Sequence, residues 1–171
     1  MRRLSLILLV SLLVLPAAAL AARQTTGDGV FELRSANGTF TLTGRGVLWG
    51  QLDKGALRVV SITSDSSSTS QPLAVSGNGL KVGKAQDDPT ATVYSGTNLH
   101  FRVTGGKYKL RFRAAGIDLS AIGVGTADLV GNVNALYPGD YALDGGKWQP
   151  IAWEEKWVQF GTQPPLPPTG P

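Results

Sequence analysis

Apolar and polar residues alternate in short runs along most of this chain, and Gly, Asn, Asp and Ser separate the runs. An alternation with a period of two is typical of strands buried on one face, and no long stretch repeats apolar residues at helical spacing. The pattern predicts an all-β fold. The candidate strands include residues 30–35, 39–43, 47–52, 56–63, 98–104, 107–114, 117–122 and 127–133.

The predicted architecture is a single antiparallel β-sandwich preceded by a signal peptide, with a closed β-barrel as the alternative. About 150 residues follow the leader, which is the usual size of one domain. We therefore divide the chain into four parts. These are a leader at 1–22, a short linker at 23–29, the all-β domain at 30–160 and a Pro-rich tail at 161–171.

Two dipeptides predict tight turns between strands. Asn37-Gly38 lies between two apolar runs, and Asn-Gly favours a type I′ turn because both central residues need a positive φ. Gly105-Gly106 is expected to join residues 98–104 to residues 107–114 in the same way. The sequence therefore predicts two β-hairpins.

Two tripeptides, Gly44-Arg45-Gly46 and Gly123-Val124-Gly125, share the order glycine, one other residue, glycine, and each leads into an apolar strand. Glycine permits a bulge or a sheet corner where a Cβ atom would clash. A nucleotide-binding loop is disfavoured because no helix follows either tripeptide. We expect both tripeptides at bends of the sheet.

The first residues have the layout of a secretory leader. Arg2 and Arg3 precede an apolar run at 4–15, and Pro16 and the alanine-rich residues 17–22 follow it. This layout predicts a signal peptide that is cleaved after Ala21 or Ala22. The mature protein is then secreted, extracellular or associated with the cell envelope, and periplasmic if the host has an outer membrane.

Composition narrows the chemistry. The chain has no cysteine and one histidine, which disfavours disulfides, a zinc site and a cysteine nucleophile. After the leader, no apolar run approaches the ~20 residues of a membrane span. We expect no cofactor, no nucleotide, no metal and no enzymatic activity. A carboxylate-pair hydrolase stays open, although nothing in the sequence pairs the candidate acids, Asp118, Asp128, Asp140, Asp144, Glu154 and Glu155.

The net charge of +4 is unevenly distributed. Five basic residues, one histidine and no acidic residue lie between Tyr94 and Ile117, whereas acidic residues outnumber basic ones in the rest of the chain after the leader. If Gly105-Gly106 closes a hairpin, alternation places Leu99, Phe101, Val103, Tyr108, Leu110 and Phe112 in the core. The outer face then carries His100, Arg102, Lys107, Lys109, Arg111 and Arg113.

Such a face is the best functional candidate in the sequence. Like charges directly opposite each other destabilise a sheet, so a surface that keeps them is a candidate for binding a polyanion. The alternative is an ordinary solvated face, or an edge strand that its charges protect from aggregation. Because no aromatic residue alternates with these cations on the outer face, we do not expect nucleic acid as the partner.

Aromatic residues are frequent in the last quarter of the predicted domain. Exposed rings stack on sugars, so Trp148, Trp153 and Trp157 form a weaker candidate site for a glycan. The alternative is burial in the core, where most aromatic side chains lie.

The end of the chain, Leu166-Pro167-Pro168-Thr169-Gly170, resembles the LPxTG sorting signal of Gram-positive surface proteins. In that family a sortase cleaves after the threonine and links the protein to the cell wall, and the signal continues into an apolar span and a basic tail. The expectation for this chain is a plain Pro-rich tail that does not enter the sheet.

Taken together, these features predict a non-catalytic, secreted and envelope-associated module that binds an anionic or glycan polymer through a basic β-hairpin. The first alternative is a structural protein that has no ligand and self-associates through its strand edges. The second is a small secreted hydrolase that uses two carboxylates.

Overall fold

The computed structural model describes residues 27–63 and 72–162, and every regular element in these ranges is a β-strand. The strands are β1 (Gly29–Thr63), β2 (Leu73–Lys84), β3 (Thr92–Val103), β4 (Lys107–Gly131), β5 (Asp140–Leu143), β6 (Gln149–Pro150) and β7 (Lys156–Phe160). Within the described ranges, no helix has the length and hydropathy to cross a membrane. The predicted leader and the LPxTG-like pentapeptide lie outside the described residues.

All strands belong to one antiparallel sheet. Its order is β2-β3-β1-β4-β7, and β5 pairs with β1 while β6 pairs with β5. The predicted all-β class and the antiparallel pairing are confirmed. The alternative of a closed barrel is wrong. In the described ranges the outer strands β2 and β7 do not pair with each other, so the sheet stays open.

The two longest strands, β1 and β4, bend and meet each other more than once. Residues 39–45 of β1 pair with residues 107–113 and also with residues 124–130 of β4, whereas residues 47–54 pair with residues 115–122. One half of the sheet therefore contains residues 39–45 of β1 with residues 107–113 and 124–130 of β4, and the other half contains residues 47–54 with residues 115–122. The segments of a strand between two bends are called arms here. The candidate strands predicted between 30 and 63 are arms of the single strand β1.

Glycines make this bending possible. Gly46 and Gly123 lie opposite each other, with φ of +133° and +146°. A Cβ atom on Gly46 would lie 2.1 Å from the carbonyl oxygen of Ile122, and one on Gly123 would lie 2.0 Å from that of Arg45. The predicted bends at the two glycine tripeptides are confirmed, and the tripeptides lie directly against each other.

The halves of the bent sheet share one core of apolar side chains. Phe101 of β3 packs against Phe112 of β4 with ring centroids 5.0 Å apart, and Phe31 of β1 stacks on Phe160 of β7 at 5.7 Å. The predicted inner positions of β3 and β4 are confirmed as buried. They are Leu99, Phe101, Val103, Tyr108, Leu110 and Phe112.

The hairpin predicted at Asn37-Gly38 is wrong, because β1 continues through this dipeptide without reversing. The Asn37 side chain and backbone are used to hold a bend. Its amide nitrogen donates to the Pro138 carbonyl at 2.8 Å, and its side-chain oxygen accepts from the Gly116 amide at 3.2 Å. The residue thus ties β1 to β4 and to the loop before β5.

The pairing predicted across Gly105-Gly106 is also wrong. The two glycines connect β3 to β4, but β1 lies between these strands in the sheet. Arg102 therefore lies opposite Trp49, and Lys109 lies opposite Thr43 and Ser61. Turn-forming residues mark where the chain changes direction, but they do not select the partner of the next strand.

We predict that Gly123→Ala lowers the free energy of unfolding by about 3 kcal/mol or more, because the new methyl group overlaps the Arg45 carbonyl and the backbone is strained. Denaturant unfolding measures this change. The matched control is Gly83→Ala, since nothing lies within 4 Å of a Cβ atom there. It should change stability by less than about 1 kcal/mol, and equal losses in both variants would contradict this account of the bend.

Candidate functional site

Four cations form a row along the first arm of β4, called the basic ladder here: Lys107, Lys109, Arg111 and Arg113. All four are exposed. Alternate residues of a strand point to the same face and lie ~6.8 Å apart. Because β1 pairs with this arm on both sides, through residues 39–45 and 55–63, the spacing of the charges is held by backbone hydrogen bonds.

Hydroxyl side chains flank the basic ladder on both sides. On one side, Thr43 lies opposite Lys109, and Thr41 and Thr39 follow along the same strand. On the other side, Ser61 lies opposite Lys109 and Thr63 lies opposite Lys107. Hydroxyl groups donate hydrogen bonds to anionic oxygens, as Lys and Arg do. The surface therefore offers donors in three adjacent rows.

Among the described residues, the basic ladder forms no salt bridge, and the salt bridges found there belong to Arg34 and Arg58. Arg58 lies directly opposite Arg111, a like-charge pair of the kind that destabilises sheets. Its guanidinium binds Asp87 at 2.8 Å, and this hydrogen bond lowers the pKa of the Asp87 carboxyl group. The neighbouring charge is thus compensated. The ladder forms no salt bridge in the described ranges, although the charge of Arg111 acts on the nearby Asp128 carboxylate.

His100 and Arg102 do not extend the basic ladder. His100 lies opposite Gln51 and Ser76, in a different half of the sheet from β4 residues 107–113. The structure therefore brings together four of the six residues predicted for the basic face. The other two lie on the surface that carries Trp49.

A carboxylate pair lies at the edge of the basic ladder. Asp128 lies opposite Thr41 and Trp157, and burial raises its pKa, as does the neighbouring Glu155 carboxylate. The Trp157 indole donates to Glu155 at 3.1 Å. Among the other candidate acids, Asp118 accepts from the Ser35 amide and the Gln51 side chain, Asp140 accepts from Arg34 and Tyr137, and Asp144 accepts from the Val30 amide. The sequence did not predict this pair, because Asp128 lies on β4 and Glu155 lies in the loop before β7, and they come together only when β4 and β7 pair.

A second surface feature is a groove of about 450 Å³, called the Trp49 groove here. Its walls include two indole rings and several polar side chains from β1, β3 and β4. These residues are Glu32, Trp49, Gln51, His100, Asp118, Ser120 and Trp148. Sequence reasoning missed Trp49. The signal that could have found it is its outward position between the inward residues Leu48 and Leu52.

Polar contacts hold Trp148 in place. The Arg34 guanidinium lies 4.4 Å from the centre of the Trp148 ring and is bound by Asp140 at 2.7 Å. Tyr137 donates a hydrogen bond to the same carboxylate, and both bonds lower the pKa of Asp140. The ring is therefore positioned before any ligand arrives.

The three tryptophans predicted as a glycan site do not come together. Trp148 lines the Trp49 groove, whereas Trp157 lies beside the basic ladder at Asp128. Trp153 lies in the loop before β7 and lines neither surface. All three are exposed, at 39%, 50% and 64% for Trp148, Trp153 and Trp157, so burial in the core is not their role.

Residues 27–63 and 72–162 contain no cluster of three His, Asp or Glu side chains suited to a metal ion. Comparison of the chain with protein-family models, curated proteins and solved structures gives no match.

We predict that Asp140→Asn lowers the free energy of unfolding by about 1–2 kcal/mol at neutral pH, because hydrogen bonds from Tyr137 and Arg34 to a charged group are weakened. The pKa of Asp140 is lowered in the folded state, so its contribution is present above the unfolded pKa and is lost as pH falls through the folded pKa. The stability difference from wild type should therefore shrink in acid. Denaturant unfolding as a function of pH measures it.

The control for this prediction is Glu154→Gln, which removes an exposed carboxylate outside the network. It should leave stability nearly unchanged at neutral pH. A difference between wild type and Asp140→Asn that stays constant into acid would contradict the assigned role of the charge.

Proposed function

We propose that this chain is a non-catalytic, envelope-associated binding module and that its basic ladder holds an anionic polymer. The observation that carries the proposal is the row of four exposed, regularly spaced cations that form no salt bridge among the described residues. Secretion and envelope location rest on the predicted leader at 1–22. The carboxylate-pair hydrolase stays an alternative.

The chemistry of the surface favours a chain of phosphate or carboxylate groups. Cations ~6.8 Å apart can pair with anionic groups at regular intervals along an extended polymer. The flanking threonines add hydrogen-bond donors. A strand paired on both sides loses little conformational freedom when it binds, which lowers the entropic cost of association. Neutral polymers gain nothing from this row of charges.

We further infer that the bent sheet acts as a two-layer β-sandwich in which the basic ladder and the Trp49 groove occupy the two outer faces. The core contact between Phe101 and Phe112 supports this arrangement, because the first belongs to the arm beside Trp49 and the second to the arm of the ladder. A polymer bound on one face would then leave the other face accessible.

Binding of a synthetic poly(glycerol phosphate) to the protein tests the proposal, measured over a range of salt concentrations. Each cation that contacts a polyanion makes the slope of log K against log salt concentration more negative by ~0.7–0.9. We predict that Lys109→Gln/Arg111→Gln makes this slope less negative by about 1.4–1.8 and weakens binding at low salt.

The matched control is Arg102→Gln/Lys147→Gln, which removes the same net charge from exposed positions outside the basic ladder. Its slope should remain close to that of wild type. If the two double variants gave equal slopes, the salt dependence would reflect only the net charge of the protein, and the proposal would be overturned. Absence of polymer binding by wild type, together with salt-resistant oligomers, would favour the structural alternative instead.

A further inference from the structure

The Trp49 groove offers a binding chemistry that differs from that of the basic ladder. Its volume of about 450 Å³ is within the range of ligand sites, ≈ 300–1,000 Å³. It shares no lining residue with the pocket beside the ladder, which contains Lys109, Arg111 and Trp157. The residues that line the groove therefore determine which ligand it binds, independently of the ladder.

Strand register places the polar walls of the groove in rows. Ser120 lies between Glu32 and Trp49 across the sheet, and Gln51 lies between Asp118 and His100. Asp118 is already bound by the Ser35 amide at 2.8 Å and by the Gln51 side chain at 3.3 Å. Asp118 thus orients Gln51, whose carbonyl oxygen remains available as an acceptor, and Glu32 adds carboxylate oxygens.

The charge of the groove selects against the polymer proposed for the ladder. Two carboxylates, Glu32 and Asp118, line it, and Arg34, which lies over Trp148, is neutralised by Asp140. These carboxylates disfavour an anionic chain inside the groove, while Arg102 lies on the same surface, opposite Trp49. Indole faces beside hydrogen-bond acceptors and a serine suit a ligand that has apolar CH faces and many hydroxyl groups, which is the chemistry of a neutral sugar.

We propose that the Trp49 groove binds a neutral hexopyranose chain, with Trp49 and Trp148 in contact with sugar rings and with Glu32, Gln51 and Ser120 bonded to hydroxyl groups. Trp148 is held by Arg34 before binding, which lowers the cost of ordering that ring. The site is independent of the basic ladder, and the protein then binds two polymers of different charge.

Isothermal titration of the full chain with three neutral hexasaccharides, cellohexaose, N-acetylchitohexaose and maltohexaose, tests the proposal. At least one should bind, with an affinity that does not fall between low and high salt. Trp49→Ala and Trp148→Ala should each weaken that binding at least tenfold. Gln51→Ala changes an exposed polar residue and should weaken it severalfold without unfolding the protein.

The control is Trp153→Ala, which removes an exposed indole outside the groove and should leave the affinity unchanged. The proposal is overturned if no hexasaccharide binds at concentrations up to about 10 mM, or if Trp153→Ala weakens binding as much as Trp49→Ala does. Binding that salt abolishes would also overturn it. The slope measured with poly(glycerol phosphate) is unaffected by any of these results, so the two proposals fail separately.

Discussion

The close approach of the backbones at Gly46 and Gly123 is the constraint on which the rest of the structure depends. Their positive φ angles and missing Cβ atoms let β1 and β4 bend while they stay paired. Side chains at these positions would overlap carbonyl oxygens and separate the strands at the bend. The bend lets two halves of one sheet cover a common core, as the contact between Phe101 and Phe112 shows.

Both candidate surfaces follow from this bend together with strand alternation. Inward positions of β4 bury residues such as Leu110 and Phe112, so the residues between them must point outward in a regular row. The same alternation on β1 turns Trp49 and Gln51 outward between buried leucines. The ladder is cationic and the groove carries carboxylates, so one scaffold presents two surfaces of different charge.

The alternation of apolar and polar residues predicted much of this fold, but it did not predict which strands pair with each other. Alternation identified the buried and exposed positions of β3 and β4, and the glycine tripeptides indicated the bend. The dipeptides Asn37-Gly38 and Gly105-Gly106 predicted hairpins that do not form. β1 continues through the first, and the second connects β3 to β4, between which β1 lies. Strand partners depend on contacts far apart in sequence, which is why the sequence did not identify Trp49 as the partner of Arg102. Trp49 was missed for the same reason, since its polar neighbours come from other strands.

The most direct test of two separate surfaces is an NMR titration of the protein with poly(glycerol phosphate), following backbone amides and the four tryptophan indoles. The account predicts shifts at the amides of residues 107–113 and at the Trp157 indole, which lies beside the basic ladder. The indoles of Trp49 and Trp148 should stay unchanged. Shifts at those two indoles with none along residues 107–113 would contradict the account.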